Sequence, residues 1–287
     1  MSLTWGGRSI PASGGLPAVA VSLTGPRLAQ ARSQARSAVD AGADVLELRV
    51  DLLEEAGALA APDPLDAATA AAQVLECLRG LGEIIAADGA DAGAGAPLLL
   101  TCRTAAEGGR ARLDDTAYAA LLRSVLDGLT DWTPERRPAA IDVEVQRGCL
   151  PQICAQAHAL DIDVVASFHD FEATPADEVL EEVLARMARE GADLAKIAVW
   201  PTTADDVARL LGVCARATAG AGEGADLGVP VAAMSMGALG AVSRVAPAFG
   251  SALTFAVVPD EQGQARASAP GQLPIQDVRR CLELLRA

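Results

Sequence analysis

The chain has 287 residues and a formal net charge of −15, and 51% of it is hydrophobic but only 3% aromatic, so its core is built from Ala, Val, Leu and Ile. That length fits one (β/α) barrel or two ordinary domains, and an acidic chain with no segment that gathers its bases excludes nucleic acid and anionic membranes as expected partners. Six cysteines without a C-x-x-C pair, two histidines, no basic-then-apolar leader and no run of 18 apolar residues point to free thiols, no metal site and a cytoplasmic location.

In chain order, the Gly/Pro-rich segment 6–17 (GGRSIPASGGLP) predicts a short hairpin or cap. From residue 18 onward, short β-branched runs alternate with Ala/Leu/Arg stretches of helical period. Strands are predicted at 18–23, 45–51, 97–103, 139–145, 163–169, 194–200, 230–236 and 253–258. Helices are predicted at 27–41, 66–80, 115–129, 149–160, 176–190, 203–217, 239–248 and 274–286. Continuous apolar strands flanked by amphipathic helices indicate a parallel sheet, and eight units close into a (β/α)₈ TIM barrel over 18–287, with 1–17 as the N-terminal cap. A doubly wound open sheet is the alternative, but Ser22-Leu23-Thr24-Gly25-Pro26 is not the glycine-rich first turn that a nucleotide needs. Gly-Ala-Asp recurs at 42–44 and 191–193, each time just before a strand, and reads as a reused helix-to-strand turn. Segments 88–96 and 219–228 are low-complexity Gly/Ala/Asp loops.

Chemistry in a barrel belongs at the C-terminal ends of the strands, and that is where polar residues interrupt the apolar runs. Glu47 and Arg49 share one face of the second strand, Arg103 ends the third, and His169 ends the fifth. Asp142 and Glu144 show the same period-2 spacing on the fourth strand and are candidate partners of the arginines. Glu107 lies in a loop followed by Gly108-Gly109, which lets the backbone bend sharply. His158 falls mid-helix and reads as a surface residue. Most telling is Lys196 in the sixth strand, the single lysine against 22 arginines. An arginine is always protonated, whereas an amine crowded by cations such as Arg49, Arg103 and Arg244 can lose its proton and attack a carbonyl carbon. The competing reading is a chance survivor whose stem is buried and whose head reaches solvent. An imidazole at the neighbouring strand exit would then move protons next to an iminium.

The ordered segments V-S-L-T-G (21–25), E-L-R-V-D (47–51), T-x-R-x-x-x-E-G-G (101–109), S-F-H-D-F (167–171) and K-I-A-V (196–199) cover the first two thirds of the chain. They continue in M-S-M (234–236), S-R (243–244), F-G-S-A-x-T-F (249–255) and A-S-A-P-G-Q (267–272). Together they resemble type I 3-dehydroquinate dehydratase, the Schiff-base enzyme of the shikimate pathway. The resemblance implies that Lys196 forms an imine with the C3 ketone of 3-dehydroquinate. His169 then removes a C2 proton and protonates the departing C1 hydroxyl in a syn elimination that gives 3-dehydroshikimate, and Glu107 holds that histidine. It further implies that Arg244, Ser268 and Gln272 meet the substrate carboxylate, while Glu47, Arg49 and Arg103 hold ring hydroxyls, Met234 and Phe255 pack on the ring, and Ser22 is a further substrate-binding residue. The segment with Ser268 and Gln272 would be a lid that excludes water. The lysine is its own electron sink, so no cofactor or metal is implied, and family members are often homodimers. Where some members carry a basic residue after M-S-M, this chain has Gly237-Ala238-Leu239. A class I aldolase and a non-catalytic scaffold remain as alternatives; the first usually wants a phosphate site, and the second predicts that Lys196→Arg is harmless.

Overall fold

Side chains along each barrel strand alternate between two destinations, and that alternation makes the architecture. The computed structural model describes residues 2–11, 15–60, 66–87, 96–219, 227–259 and 267–285. Two short strands, β1 (Leu3–Trp5) and β2 (Arg8–Ile10), form an antiparallel hairpin. The barrel strands are β3 (Ala18–Leu23), β4 (Val45–Arg49), β5 (Leu98–Thr101), β6 (Ala140–Glu144), β7 (Asp163–Asp170), β8 (Leu194–Val199), β9 (Val231–Ser235) and β10 (Leu253–Ala256). They pair in parallel in the order β10-β3-β4-β5-β6-β7-β8-β9. Between β9 and β10 the ladder gives way to single contacts: Ala252 N–H donates to the Val231 carbonyl at 2.7 Å, and Ala233 N–H to Ser251 Oγ at 3.3 Å. The result is a nearly closed (β/α)₈ barrel with an N-terminal hairpin before it, at residues 3–10 where a hairpin or cap was expected over 6–17.

Val19, Val21, Leu46, Leu48, Leu100, Ile141, Val143, Val164, Ile197 and Val199 face outward into one continuous core. There they meet the helices α1 (Leu28–Asp40), α2 (Ala67–Ala87), α3 (Asp115–Leu129), α4 (Leu150–His158), α5 (Asp177–Arg189), α6 (Ala204–Thr218) and α7 (Ile275–Leu284). Their neighbours Ala20, Val45, Leu99, Ala140, Val165, Leu194, Ala232 and Leu253 belong to a second cluster inside the barrel, which Trp5 and Ile10 of the hairpin complete. Trp5 Nε1 donates to Asp163 Oδ2 at 2.7 Å, so the hairpin closes the N-terminal end of the barrel. Two residues further along the same inward faces the apolar layer ends, and Ser22, Glu47, Thr101, Asp142, Ser167 and Lys196 take its place, all buried.

Both Gly-Ala-Asp copies are the same turn. Gly42 and Gly191 end α1 and α5 at φ values of +86° and +99°, which glycine adopts without a steric penalty. The aspartates then reach back one strand: Asp44 Oδ2 accepts from Val19 N–H at 2.8 Å, and Asp193 Oδ2 from Val164 N–H at 2.7 Å.

The helix predicted at 239–248 is corrected. The chain instead makes two 3₁₀ turns, Ala241–Val245 and Pro247–Phe249. Gly240 lies so close to the end of β9 that a Cβ there would stand 2.4 Å from the Ser235 backbone. Ser243 Oγ donates to the Gly240 carbonyl at 2.7 Å and accepts from Ser235 N–H at 2.9 Å, and Pro247 has no N–H to continue a helical ladder. Of the strand predictions, 18–23 coincides with β3, 163–169 falls one residue short of β7, and the other six run one to three residues long; β4 ends at Arg49 because Val50–Leu52 turns into a 3₁₀ segment. The two low-complexity segments lie almost wholly outside the described residues.

Candidate active site

Glu47 and Lys196 of the polar layer and the strand ends above them line a cleft at the C-terminal mouth of the barrel. Lys196 projects from β8 and is 4% exposed. Its Nζ lies 3.4 Å from Asp142 Oδ2 and 4.0 Å from Glu47 Oε1, and stands 4.8 Å from the centre of the Phe255 ring. The lysine does not send its head to solvent, and its ion-pair partners are carboxylates.

Next to it on β7, His169 Nδ1 is 2.8 Å from Glu107 Oε2. Glu107 comes from the loop after β5, where a 3₁₀ turn at Ala105–Glu107 ends in Gly108 at φ +79°. A Cβ on Gly109 would lie 2.1 Å from the Arg103 carbonyl, so only glycine allows the loop to fold back here. Burial, then Arg103, Lys196 and Arg49, hold the imidazole well below its ordinary range. Burial pushes Glu107 up to about 8 against the pull of Arg103, with Glu144 and Asp142 adding to the rise.

Arg103 is the hub of the floor. Nη2 donates to both oxygens of Asp142 at 2.9 Å, and Nη1 to Ser167 Oγ at 2.9 Å, Glu144 Oε1 at 3.0 Å and Glu107 Oε2 at 3.4 Å. Asp142 and Glu144 thus partner an arginine as their spacing suggested. Arg49 makes a bidentate pair with Asp51 at 2.8 Å on each arm, not with Glu47. Asp51 also accepts from the backbone N–H groups of Arg103 at 3.2 Å and Arg110 at 3.1 Å, which ties the end of β4 to the Glu107 loop. Sequence reasoning gave no role to Asp51, Thr101 or Ser167; the period-2 continuation of polar residues at barrel height was the available signal.

Over the mouth, residues 268–272 are joined to the floor by a chain of hydrogen bonds. Gln272 Nε2 donates to Ser268 Oγ at 2.9 Å, Ser268 Oγ to Ser22 Oγ at 2.8 Å, and Ser22 Oγ to Glu47. Pro270 is held through its carbonyl by Gly237 N–H at 3.1 Å and by Arg244 Nη2 at 3.2 Å. Arg244 itself is 2% exposed, its Nε has no partner, and among the described residues no carboxylate pairs with it. Burial lowers it to about 10. Met234 and Phe255 complete the wall. Every residue that the motifs singled out therefore lines this cleft except Ser22, which joins it through Glu47 and Ser268. His158, at the end of α4, pairs with Asp193 well away from it.

Residues 19–287 match the family described as Type I 3-dehydroquinase. The chain belongs to that family. A 3-dehydroquinate dehydratase of Salmonella agona is 36% identical over 283 residues, which is 97% of this chain and 96% of that one. Among solved structures, the type I 3-dehydroquinate dehydratase of Clostridium difficile carrying covalently modified comenic acid superposes with a TM-score of 0.79 at 28% identity, covering 100% of this chain and 98% of that one. The 3-dehydroquinate dehydratase of Geobacillus kaustophilus gives the same score and identity, with 100% and 96% covered. Membership in the type I family makes the chain a carbon–oxygen lyase, and the aldolase and scaffold alternatives lapse.

Proposed function

We propose that this chain dehydrates 3-dehydroquinate to 3-dehydroshikimate with Lys196 as the Schiff-base nucleophile and His169 as the acid and base. The observation that carries the reading is the pairing, in one buried cleft, of a lysine amine with a histidine whose Nδ1 is held by Glu107 at 2.8 Å. Lys196 attacks the C3 ketone, and loss of that oxygen as water leaves an iminium that acidifies the C2–H. His169 takes the C2 proton, the enamine expels the C1 hydroxyl as His169 returns a proton to it, and hydrolysis of the imine frees product and lysine. Glu107 accepts from Nδ1–H, which leaves Nε2 as the working nitrogen. Arg244, buried with no carboxylate paired to it among the described residues, is matched to the substrate carboxylate, and Ser268 and Gln272 bring the lid down on it. Ser22, Glu47, Arg49 and Arg103 form the wall for ring hydroxyls, and Met234 and Phe255 pack on the ring. No cofactor or metal is called for. Residues 1–17 serve as the cap and 18–287 as the catalytic barrel, in a homodimer of the cytoplasm that binds neither nucleic acid nor membrane. No helix among the described residues is long and apolar enough to cross a membrane.

The test is intact mass after incubation with 3-dehydroquinate and borohydride, with peptide mapping. A reduced, dehydrated adduct on Lys196 is the expected result. An adduct that retains the water, or none on a folded sample, overturns the reading.

A further inference from the structure

The carboxylate nearest the nucleophile is not part of the cleft wall. Asp142 is fully buried on β6, and its oxygens are spoken for: Arg103 Nη2 donates to both, Ser167 Oγ donates to Oδ1 at 2.7 Å, and Lys196 Nζ approaches Oδ2 at 3.4 Å. A carboxylate offers about four lone-pair directions, so these contacts use it up and leave nothing for a substrate hydroxyl. Glu47 contrasts with it. It lines the cleft, accepts from Ser22 and from Thr101 Oγ1 at 3.0 Å, and stands further from Nζ at 4.0 Å. Although burial works against the charged form, Arg103, Lys196 and the Ser167 hydroxyl keep Asp142 ionised, with its carboxyl below the usual range.

We infer that Asp142 is the positioning counter-ion of the covalent intermediate, holding the Lys196 nitrogen in place and in its cationic form while the C2 proton is removed. The inference rests on the Schiff-base reading above. When the amine condenses with the ketone, a C=N bond replaces the C=O bond, water leaves, and the nitrogen keeps one proton and one positive charge. Only that cationic form is a strong electron sink; a neutral imine withdraws little from the adjacent C–H. The charged and titratable groups around the nitrogen are Asp142 and Arg103 from β6 and the end of β5, Glu47 from β4, and His169 from β7, with Arg49 close enough to act on the same site. Arg103, Arg49 and any proton on His169 oppose the cation. Of the two carboxylates that favour it, Asp142 is the nearer, and its position is fixed by Arg103 and Ser167.

The test is Asp142→Asn, which keeps the shape and removes the charge, with kcat measured across pH beside borohydride trapping. The alkaline limb of kcat, where the iminium loses its proton, moves to lower pH by about one unit or more, as expected for loss of an opposite charge within ~4–6 Å. A lower kcat with an unmoved alkaline limb overturns the counter-ion role and leaves Asp142 as support for Arg103. If wild-type protein gives no Lys196 adduct, the Schiff-base reading fails instead, and the two failures are told apart. Should the Asn variant not fold, Asp142→Ser, smaller and still able to accept from Arg103, carries the same comparison.

Discussion

Arg244 and Pro270 are joined by one hydrogen bond, Nη2 to the backbone carbonyl at 3.2 Å, and this is the buried guanidinium's sole hydrogen bond to another residue from its side chain among the described residues. A full cation is therefore kept in the protein with one neutral acceptor on the lid and an unpartnered Nε. The fold bears that cost, and a bound carboxylate would relieve it.

Replacing Arg244 with Met should consequently separate stability from function. Burial lowers the guanidinium to about 10, so at neutral pH it is charged in both states, solvated in the unfolded chain and desolvated at a cost in the folded one. The variant should unfold at higher denaturant, by about 1–3 kcal/mol. Substrate binding should weaken by about 2–5 kcal/mol, as for loss of one partner of a buried charge pair, and read as a raised KM. Unchanged affinity would remove Arg244 from the carboxylate site.

Lys196→Arg keeps the charge beside Asp142 and Glu47 but cannot form an imine. Turnover should fall by between about 10³ and 10⁶. Far-ultraviolet circular dichroism should stay native; retained turnover would show that the nucleophile lies elsewhere. His169→Ala should still be trapped by borohydride yet turn over about 10² to 10⁴ more slowly.

The pH profile of kcat/KM follows from the Glu107–His169 pair. Below about 8 Glu107 is protonated and holds Nδ1–H only as a neutral acceptor; above it the carboxylate holds Nδ1–H with a charge and makes Nε2 the stronger base. Activity should rise with pH through that value and then level. Glu107→Gln should abolish this ascending limb, and a limb that survived in the variant would have to belong to another group.

Gly109→Ala places a methyl 2.1 Å from the Arg103 carbonyl, so the loop must open. A loss of about 1–3 kcal/mol in stability is expected, together with a fall in kcat, because Glu107 moves with the loop. Trp5→Phe, by contrast, removes the N–H that reaches Asp163 and leaves a void where the larger ring was buried, far from the cleft. It should cost about 1–3 kcal/mol and leave turnover untouched, as thermal melts and rate assays on the same sample would show.

The barrel was legible because its strands are short β-branched runs and its helices keep their period; the 18–23 run coincides with β3. The one false helix arose where local chain contacts overrode an apolar pattern. Ser243 binds the end of β9 rather than the next turn, and no periodicity encodes that. At the site, Lys196 stood out by rarity and Glu107 by its glycines. What a sequence of period-2 charges does not carry is which acid meets which base. Arg49 chose Asp51, two residues along its own chain, and Arg103 reached across to Asp142 and Glu144 on the neighbouring strand. Those choices depend on barrel curvature and depth, which set distances between strands rather than along them.

The hairpin under the barrel makes the site a blind well. Trp5 and Ile10 stopper the far end, so among the described residues the cleft opens on the side that residues 268–272 cover. Product and hydrolytic water would then pass the same segment, so the opening of 268–272 is expected to count in turnover alongside the chemical steps.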